Sequence, residues 1–280
     1  MEQLYFFDID GTLIECNKGI YSIPDSSRNA LLQLQKQGDH VFLATGRCKC
    51  FIIDGVMDYP FDGYVTCNGA YVEYMGETIY KKVIPAQAIQ KTHELCLERD
   101  LAYYFEGNDY IYVLNKNNPK HIEFKNNWGM KDNTIIDQFD PQEIETYIGM
   151  IVVNSSDDIA PMVEALSPYF DIQRHQSGYS FDLTLKGESK AKGIKKLVEK
   201  LGMDIEQTIA FGDGRNDVEM LTEVGLGIAM GNGAIEAKAV ADYVTDDIDK
   251  DGILKALNHF SLIKWFLSVN GWNCNVNLLE

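Results

Sequence analysis

Three short apolar runs in this chain end in residues that can hold a phosphate or a metal ion, and this pattern constrains the fold most. The runs end at Asp8-Ile9-Asp10-Gly11-Thr12, at Thr45-Gly46-Arg47 and at Gly212-Asp213-Gly214-Arg215-Asn216-Asp217. Short apolar runs that precede helical patterns are typical of buried parallel strands. Because open parallel sheets bind ligands at the carboxyl ends of their strands, we expect these three segments to meet at one edge of a sheet.

Both ends of the chain alternate strand and helix patterns, which predicts an α/β fold. Near the start, strands are expected at 4–8, 41–45 and 63–67, with a helix at 25–37. Near the end, strands are expected at 208–212, 226–229 and 242–245, with helices at 189–201, 216–223 and 252–260. Such alternation builds a doubly wound parallel sheet. Residues 1–81 and 185–264 are therefore predicted to form one catalytic core.

Residues 82–184 interrupt this alternation. Strands are expected there at 102–105, 110–114, 148–153 and 179–184, with helices near 85–99, 119–127 and 158–168. Since a structureless loop of this length is rare, the segment is predicted to be an inserted α+β domain. The tail, residues 265–280, is rich in aromatic residues and asparagine and receives no predicted role.

Composition excludes several classes of protein. The formal net charge of −17 argues against a nucleic-acid partner, because phosphate backbones attract cationic surfaces. No apolar stretch approaches the roughly 18 residues of a membrane span, and the first residues lack the pattern of a signal peptide. The six cysteines show no disulfide-framework or zinc-site spacing, which favours a cytoplasmic protein with reduced thiols. No oligomeric state is predicted.

Two aspartates at the end of the first strand suit phosphoryl chemistry. One of Asp8 and Asp10 can attack phosphorus while the other moves protons. Either can also bind a hard cation, and Asp213 would add a third carboxylate. Magnesium prefers such oxygen ligands, so Mg²⁺ is the predicted cofactor.

Other residues, in these three segments and at the helix start near 190, have both functional and structural interpretations. Thr45 and Gly46 could offer a hydroxyl and a backbone N–H to a phosphate, although the pair is common at strand ends. Lys190 begins a predicted helix, where a cation opposes the helix dipole and calls for an anionic partner; Lys192 is the competing candidate. Asn216 and Asp217 could be helix caps instead of site residues.

Taken in order, these motifs resemble the haloacid dehalogenase (HAD) superfamily of phosphatases, in its Cof-type branch, subfamily IIB. The matching segments are Asp8-Ile-Asp-Gly-Thr12, Thr45-Gly-Arg47, Val65-Thr-Cys-Asn-Gly-Ala70, Lys190 within Ser-Lys-Ala-Lys-Gly-Ile, and Gly212-Asp-Gly-Arg-Asn-Asp217. The likeness extends from Leu4 to about Leu262. It implies a HAD-like core, and it implies that the insertion is a C2-type cap that closes over the site.

The resemblance also implies roles for individual residues. Asp8 would be the nucleophile, and Asp10 would protonate the leaving group and later activate water. Thr45 and Lys190 would hold phosphoryl oxygens. Asp8, Asp10 (through its carbonyl) and Asp213 would bind Mg²⁺, and Asp217 would support the site. The residues expected to contact substrate are Thr12, Gly46, Arg47, Asn68 and Asn216.

The sequence therefore predicts a magnesium-dependent phosphatase that acts on a small phosphorylated metabolite through an aspartyl-phosphate. A sugar phosphate is one candidate substrate. The alternatives are a phosphomutase with a similar core and cap, and a non-enzymatic phosphate sensor that uses the acidic site as a switch. Product analysis separates these alternatives, since only a phosphatase releases inorganic phosphate.

Overall fold

The structure, a computed structural model, describes residues 2–128, 132–153, 158–174, 178–269 and 272–276. The strands are β1 (Leu4–Phe7), β2 (His40–Ala44), β3 (Gly63–Thr66), β4 (Tyr71–Tyr74), β5 (Glu77–Lys81), β6 (Ala102–Glu106), β7 (Ile111–Leu114), β8 (Ile135–Ile136), β9 (Ile148–Val152), β10 (Phe170–Arg174), β11 (Ser180–Leu185), β12 (Thr208–Gly212), β13 (Leu226–Ala229), β14 (Tyr243–Val244), β15 (Trp265–Val269) and β16 (Trp272–Val276). The helices are α1 (Asp25–Lys36), α2 (Asp54–Met57), α3 (Ala86–Glu98), α4 (Pro119–Trp128), α5 (Ala160–Leu166), α6 (Lys190–Leu201), α7 (Val218–Glu223), α8 (Ile235–Val240) and α9 (Gly252–His259).

The larger sheet combines strands from both ends of the chain, in the order β14-β13-β12-β1-β2-β3-β4-β5. Pairing is parallel from β14 to β3. β1 lies between β12 and β2, with Phe7 opposite Phe211 on one side and Leu43 on the other. Apolar clusters cover both faces of the sheet, which explains why its strands read as continuous apolar runs. The predicted α/β sheet is confirmed.

Two antiparallel strands at the edge of this sheet were not expected from the sequence. The chain reverses after β3 through Asn68 and Gly69, whose φ angles are +50° and +89°. β4 then pairs antiparallel with β3, and β5 pairs antiparallel with β4 after a turn at Met75 and Gly76. Both turn residues have positive φ. β4 is mostly buried but includes Glu73, and β5 is partly exposed and includes Glu77 and Lys81. Neither strand therefore has the apolar run by which the central strands were recognised.

The second sheet is built from the interrupting segment, in the order β10-β11-β9-β6-β7-β8. Its pairs are antiparallel except β7 with β8. One apolar cluster involves α3 and α5. Another joins sheet residues such as Tyr104 and Met150 to Cys67 and Tyr71 of the first sheet's region. This second cluster holds a face of the insertion against the loops that carry the predicted site. β8 and β10 were not expected, and the domain boundaries at 82 and 184 stay a prediction.

The tail contains a hairpin in which β15 pairs antiparallel with β16. The rest of the predicted tail, residues 270–271 and 277–280, lies outside the described residues. No role for the tail follows from this hairpin. Among the helices of the described ranges, none combines the length and apolar content that crossing a bilayer requires.

Candidate active site

The segment after β1 gives its two aspartates different surroundings. The N–H of Asp8 donates to the carbonyl of Phe211 at 3.0 Å, and the side chain of Asp8 is buried. The chain then turns at Gly11, whose φ is +85°. The side chain of Asp10 is 46% exposed and accepts two hydrogen bonds from Arg47, at 2.8 and 2.7 Å. Although only one residue separates them, the two carboxylates have different partners: Asp8 bonds to Lys190 and Asp10 bonds to Arg47.

Lys190, at the start of α6, supplies positive charge to this site. Its Nζ lies 2.6 Å from Oδ1 of Asp8 and 2.6 Å from Oδ1 of Asp217, and its side chain is fully buried. Burial opposes the charged form of Lys190, but the two carboxylates outweigh that cost and raise its pKa. They also provide the negative charge that a cation at a helix N-terminus requires. Ser189 caps the helix and accepts from the N–H of its third residue at 3.2 Å.

Close packing of α6 against β3 and the turn after it brings Lys190 to the sheet edge. Gly69 lies against the carbonyl of Ser189, and Gly193 of α6 lies against Gly69 and Val65; a Cβ on either glycine would overlap these neighbours. Lys192, the competing candidate, instead bonds the carboxylate of Glu188 at 2.6 Å and the carbonyl of Gly187 at 2.8 Å. The geometry therefore favours Lys190.

Three carboxylates form a cluster next to Lys190. Asp8, Asp213 and Asp217 each offer an oxygen, and these oxygens lie within 4.8 Å of one another. Burial, together with repulsion from Asp217, raises the pKa of Asp213 to about 7. The pKa of Asp8 is also raised, chiefly by burial, although Lys190 opposes the shift. Hard oxygen donors crowded in this way fit a divalent cation such as Mg²⁺.

The oxygens of Asp217 already have partners within the protein. Oδ1 accepts from Lys190, and Oδ2 accepts the N–H groups of Asp213 and Gly214 at 2.9 and 2.8 Å. Asp217 therefore holds the loop and the lysine in position. Asp8 and Asp213 are the better candidates for metal ligands, together with the backbone carbonyl of Asp10 that was predicted.

Gly11 and Thr12 face the carboxylate of Asp213. A Cβ on Gly11 would overlap that carboxylate, so the close approach of the two loops requires glycine here. The hydroxyl of Thr12 is buried and donates to Oδ1 of Asp213 at 3.3 Å. Thr12, which was predicted to contact substrate, therefore contacts a candidate metal ligand.

The loops after β2, β3 and β12 form a polar wall near Asp8. The hydroxyl of Thr45 accepts from the N–H of Arg47 at 3.1 Å. The side chain of Asn216 donates to Oδ1 of Asn68 at 3.4 Å, and Asn68 donates to the hydroxyl of Thr184 in the second sheet at 3.0 Å. Gly46 packs against Asn68: a Cβ placed on Gly46 would lie 3.1 Å from Oδ1 of Asn68. Gly46, Asn68 and Asn216, which were predicted to contact substrate, therefore lie together. The guanidinium of Arg47, also a predicted contact, donates its hydrogen bonds to the carboxylate of Asp10.

A cavity of about 200 Å³ opens between the two sheets at this wall. On the core side it is lined by residues that include Asp8, Asp10, Thr45, Gly46, Arg47 and Asn216, all of them predicted. On the insertion side it is lined by Glu106, Ile148, Met150 and Asp182, none of which the sequence had indicated. The alternation of side chains along Ala102-Tyr-Tyr-Phe-Glu106 places Glu106 on the same face of the strand as Tyr104. The alternation does not show which of the two faces is turned toward the first sheet.

Comparisons with known proteins agree with this geometry. A family model described as haloacid dehalogenase-like hydrolase matches residues 5–257. The chain belongs to this family. YkrA of Bacillus subtilis is 34% identical over 266 residues, covering 94% of this chain and 99% of YkrA. The 5-amino-6-(5-phospho-D-ribitylamino)uracil phosphatase YcsE of the same organism is 25% identical, with 93% and 96% covered.

Among solved structures, the subclass IIB sugar phosphatase BT4131 superposes with a TM-score of 0.80. It is 33% identical, and the match covers 93% of this chain and 100% of that one. These likenesses confirm the predicted superfamily, its Cof-type branch and the enzyme class, a phosphatase.

Proposed function

We propose that the chain hydrolyses the phosphate monoester of a small metabolite through an aspartyl-phosphate on Asp8, with the aid of Mg²⁺. The observation that carries this proposal is the carboxylate cluster around Lys190 at the carboxyl ends of the strands, which opens into a cavity of metabolite size. The cluster concentrates negative charge beside one buried cation. A dianionic phosphate could bind next to these carboxylates only if further positive charge offset their repulsion, and a bound Mg²⁺ would supply that charge.

In the first step, an oxygen of Asp8 attacks phosphorus and the ester P–O bond breaks, while Asp10 gives a proton to the leaving oxygen. In the second step, water attacks the phosphorus of the aspartyl-phosphate; Asp10 takes the proton of that water, and the bond to Asp8 breaks. Asp10 suits this exchange because its side chain borders the cavity and is half exposed. In the resting arrangement Arg47 holds the carboxylate of Asp10, so Asp10 must leave Arg47 to protonate a leaving group.

Lys190 would neutralise a phosphoryl oxygen while it orients Asp8. Thr45, Gly46 and Asn216 line the cavity next to Asp8 and would donate hydrogen bonds to the remaining oxygens. Phosphoryl transfer depends mainly on such positioning and charge stabilisation. Residues 82–184 are proposed to act as a cap whose contact with the core keeps bulk water from the intermediate.

Release of inorganic phosphate from a panel of phosphorylated metabolites tests this function. The wild type should release phosphate, chelation of divalent metal should stop the release, and added Mg²⁺ should restore it. Asp8→Asn should release none while remaining folded, whereas Asp109→Asn, an exposed insertion carboxylate with the same charge change, should behave as the wild type. Activity that persists in excess chelator would refute the metal assignment, and an isomeric phosphate product would favour the mutase.

A further inference from the structure

We propose that Cys48 and Cys50 form an oxidation site, at which the two thiols close into a reversible disulfide that slows the chemistry of the neighbouring cavity. Such a site lies beyond the proposed phosphatase function, and only its effect on the cavity depends on that function. The two cysteines follow the Thr45-Gly46-Arg47 segment directly, in the loop after β2.

The two sulfur atoms are already in contact. Sγ of Cys48 lies 3.3 Å from Sγ of Cys50, and both thiols are free. A chain segment of two residues spans at most about 7 Å, and the 3₁₀ turn Lys49–Phe51 shortens that span. The two Cα atoms therefore fall within the range of about 4.4–6.8 Å that disulfides take. Bond formation, at about 2.05 Å, requires little movement of the sulfur atoms.

The surroundings of the two thiols differ. Cys48 is fully buried, its thiol bonds to the carboxylate of Glu106, and burial raises the pKa of the thiol. Cys50 is half-buried and lies where the core meets the insertion, since its N–H donates to the carbonyl of Asn108 at 3.2 Å. Oxidants act on thiols that are accessible and can ionise. Cys50 is therefore the thiol that reacts first, and Cys48 is the thiol that completes the disulfide.

A peroxide is the oxidant that this arrangement requires, and the reaction balances in two steps. The sulfur of Cys50 attacks one oxygen of hydrogen peroxide and the O–O bond breaks, which leaves a sulfenic acid on Cys50 and releases one water that carries the thiol proton. The sulfur of Cys48 then attacks the sulfur of Cys50. The S–S bond forms, the S–O bond breaks, and the hydroxyl leaves as a second water with the proton of Cys48. A dithiol reverses the modification by thiol–disulfide exchange.

The cysteines lie between two residues of the cavity wall. Arg47 precedes Cys48, Phe51 follows Cys50, and both Arg47 and Phe51 line the cavity. The guanidinium of Arg47 donates to the carbonyl of Phe51 at 3.0 Å and holds the carboxylate of Asp10. A disulfide inside this loop displaces Arg47 and, with it, Asp10. Because a misplacement of about 1 Å can cost about 100-fold in rate, oxidation should slow hydrolysis.

The experiment treats the folded protein with hydrogen peroxide, removes the excess with catalase and measures two quantities. The first is the state of each thiol, from alkylation of the denatured protein and digestion with trypsin and chymotrypsin. Cleavage after Lys49 and after Phe51 separates Cys48, Cys50 and Cys67 into different peptides, so a linked pair identifies the bond. The second is kcat/KM for phosphate release from p-nitrophenyl phosphate at saturating Mg²⁺, before and after dithiothreitol.

Three variants accompany the wild type, and thermal melting verifies that each is folded. Cys16→Ser is the matched control, because Cys16 is an exposed free thiol away from the pair; it should respond as the wild type does. Cys50→Ser should match the untreated wild type in rate and lose the response to peroxide. In Cys48→Ser the sulfenic acid on Cys50 should persist and be trapped by dimedone.

Peroxide at a dose that oxidises Cys16 should link Cys48 to Cys50 and lower kcat/KM of the wild type at least about tenfold. Dithiothreitol should reverse both changes. If Cys48 and Cys50 stay free for alkylation at that dose, the oxidation site is wrong. A disulfide that leaves kcat/KM unchanged would remove its effect on the cavity. A loss of activity that persists in Cys50→Ser would assign that loss to another oxidised group.

Failure of the proposed function gives a different result. The peptide measurement needs no activity, so a wild type that releases no phosphate from p-nitrophenyl phosphate, yet still links Cys48 to Cys50, would contradict the phosphatase proposal and leave the oxidation site standing.

Discussion

Replacing Asp8 by asparagine should abolish turnover and, in the metal-free protein, raise stability. Asp8 is buried in contact with the cation of Lys190 and close to two further carboxylates, those of Asp213 and Asp217. Asparagine keeps the shape of the side chain and removes its charge. The effect on stability therefore depends on whether the interactions of the Asp8 charge with its neighbours are attractive or repulsive when they are summed.

The distances give an approximate answer. At an effective dielectric constant of about 20, the pair at 2.6 Å attracts by about 6 kcal/mol. Each of the two carboxylates within 4.8 Å repels Asp8 by at least about 3.5 kcal/mol. The two repulsions together therefore equal or exceed the attraction, so the cost of burying the charge, several kcal/mol per ion, is left uncompensated. We expect Asp8→Asn to stabilise the metal-free fold by about 1–3 kcal/mol.

Thermal unfolding in chelator is the assay, with the same measurement in saturating Mg²⁺. In chelator the melting temperature of Asp8→Asn should exceed that of the wild type by about 2–8 °C. Added Mg²⁺ should stabilise the wild type more than the variant, because ligand binding favours the native state in proportion to its affinity, and the gap should shrink or reverse. A variant that melts below the wild type in chelator would refute the electrostatic reasoning. One that still releases phosphate at a near-wild-type rate would refute the role of Asp8.

Three further predictions concern other residues of the site. Lys190→Met should lower the free energy of unfolding by about 3–5 kcal/mol, because it leaves buried carboxylates without their cation, and should stop phosphate release; Lys192→Met should cost less stability and retain activity. Gly11→Ala should weaken the rise in melting temperature caused by Mg²⁺, because its Cβ would displace a candidate metal ligand; Gly38→Ala has similar backbone strain, with φ at +90° and open space around the site of the Cβ, and should leave that rise unchanged. The raised pKa of Glu106, about 7 against the ordinary 4.5, means that the native state binds its proton more tightly than the unfolded state. The free energy of unfolding should therefore decrease as the pH is raised from about 4.5 to 7. Urea titrations at the two pH values should show a smaller decrease in Glu106→Gln than in the wild type, with a difference of at most about 3 kcal/mol.

The sequence was most informative where chemistry and strand ends coincide. Parallel strands deliver whatever follows them to one sheet edge, so Asp8, Thr45 and Asp213 could be brought together by reading where three apolar runs stop. Lys190 could be expected near them only through its place at a helix start and the family resemblance. The structure favours Lys190 over Lys192 because Gly69 and Gly193 pack tightly and bring the start of α6 to the site. This tertiary contact cannot be predicted from the sequence around either lysine.

The wall of the cavity on the insertion side could not be found in the same way. Glu106 and Asp182 are 76 residues apart in the sequence and lie on one face because β6 and β11 both pair with β9. That register depends on non-local antiparallel pairing, in which a shift of one residue would turn the whole set to the opposite face. The core side of the cavity thus follows from a rule of topology that short segments reveal. The insertion side follows from a register that only the folded sheet contains, so its residues can change while those around Asp8 stay in place.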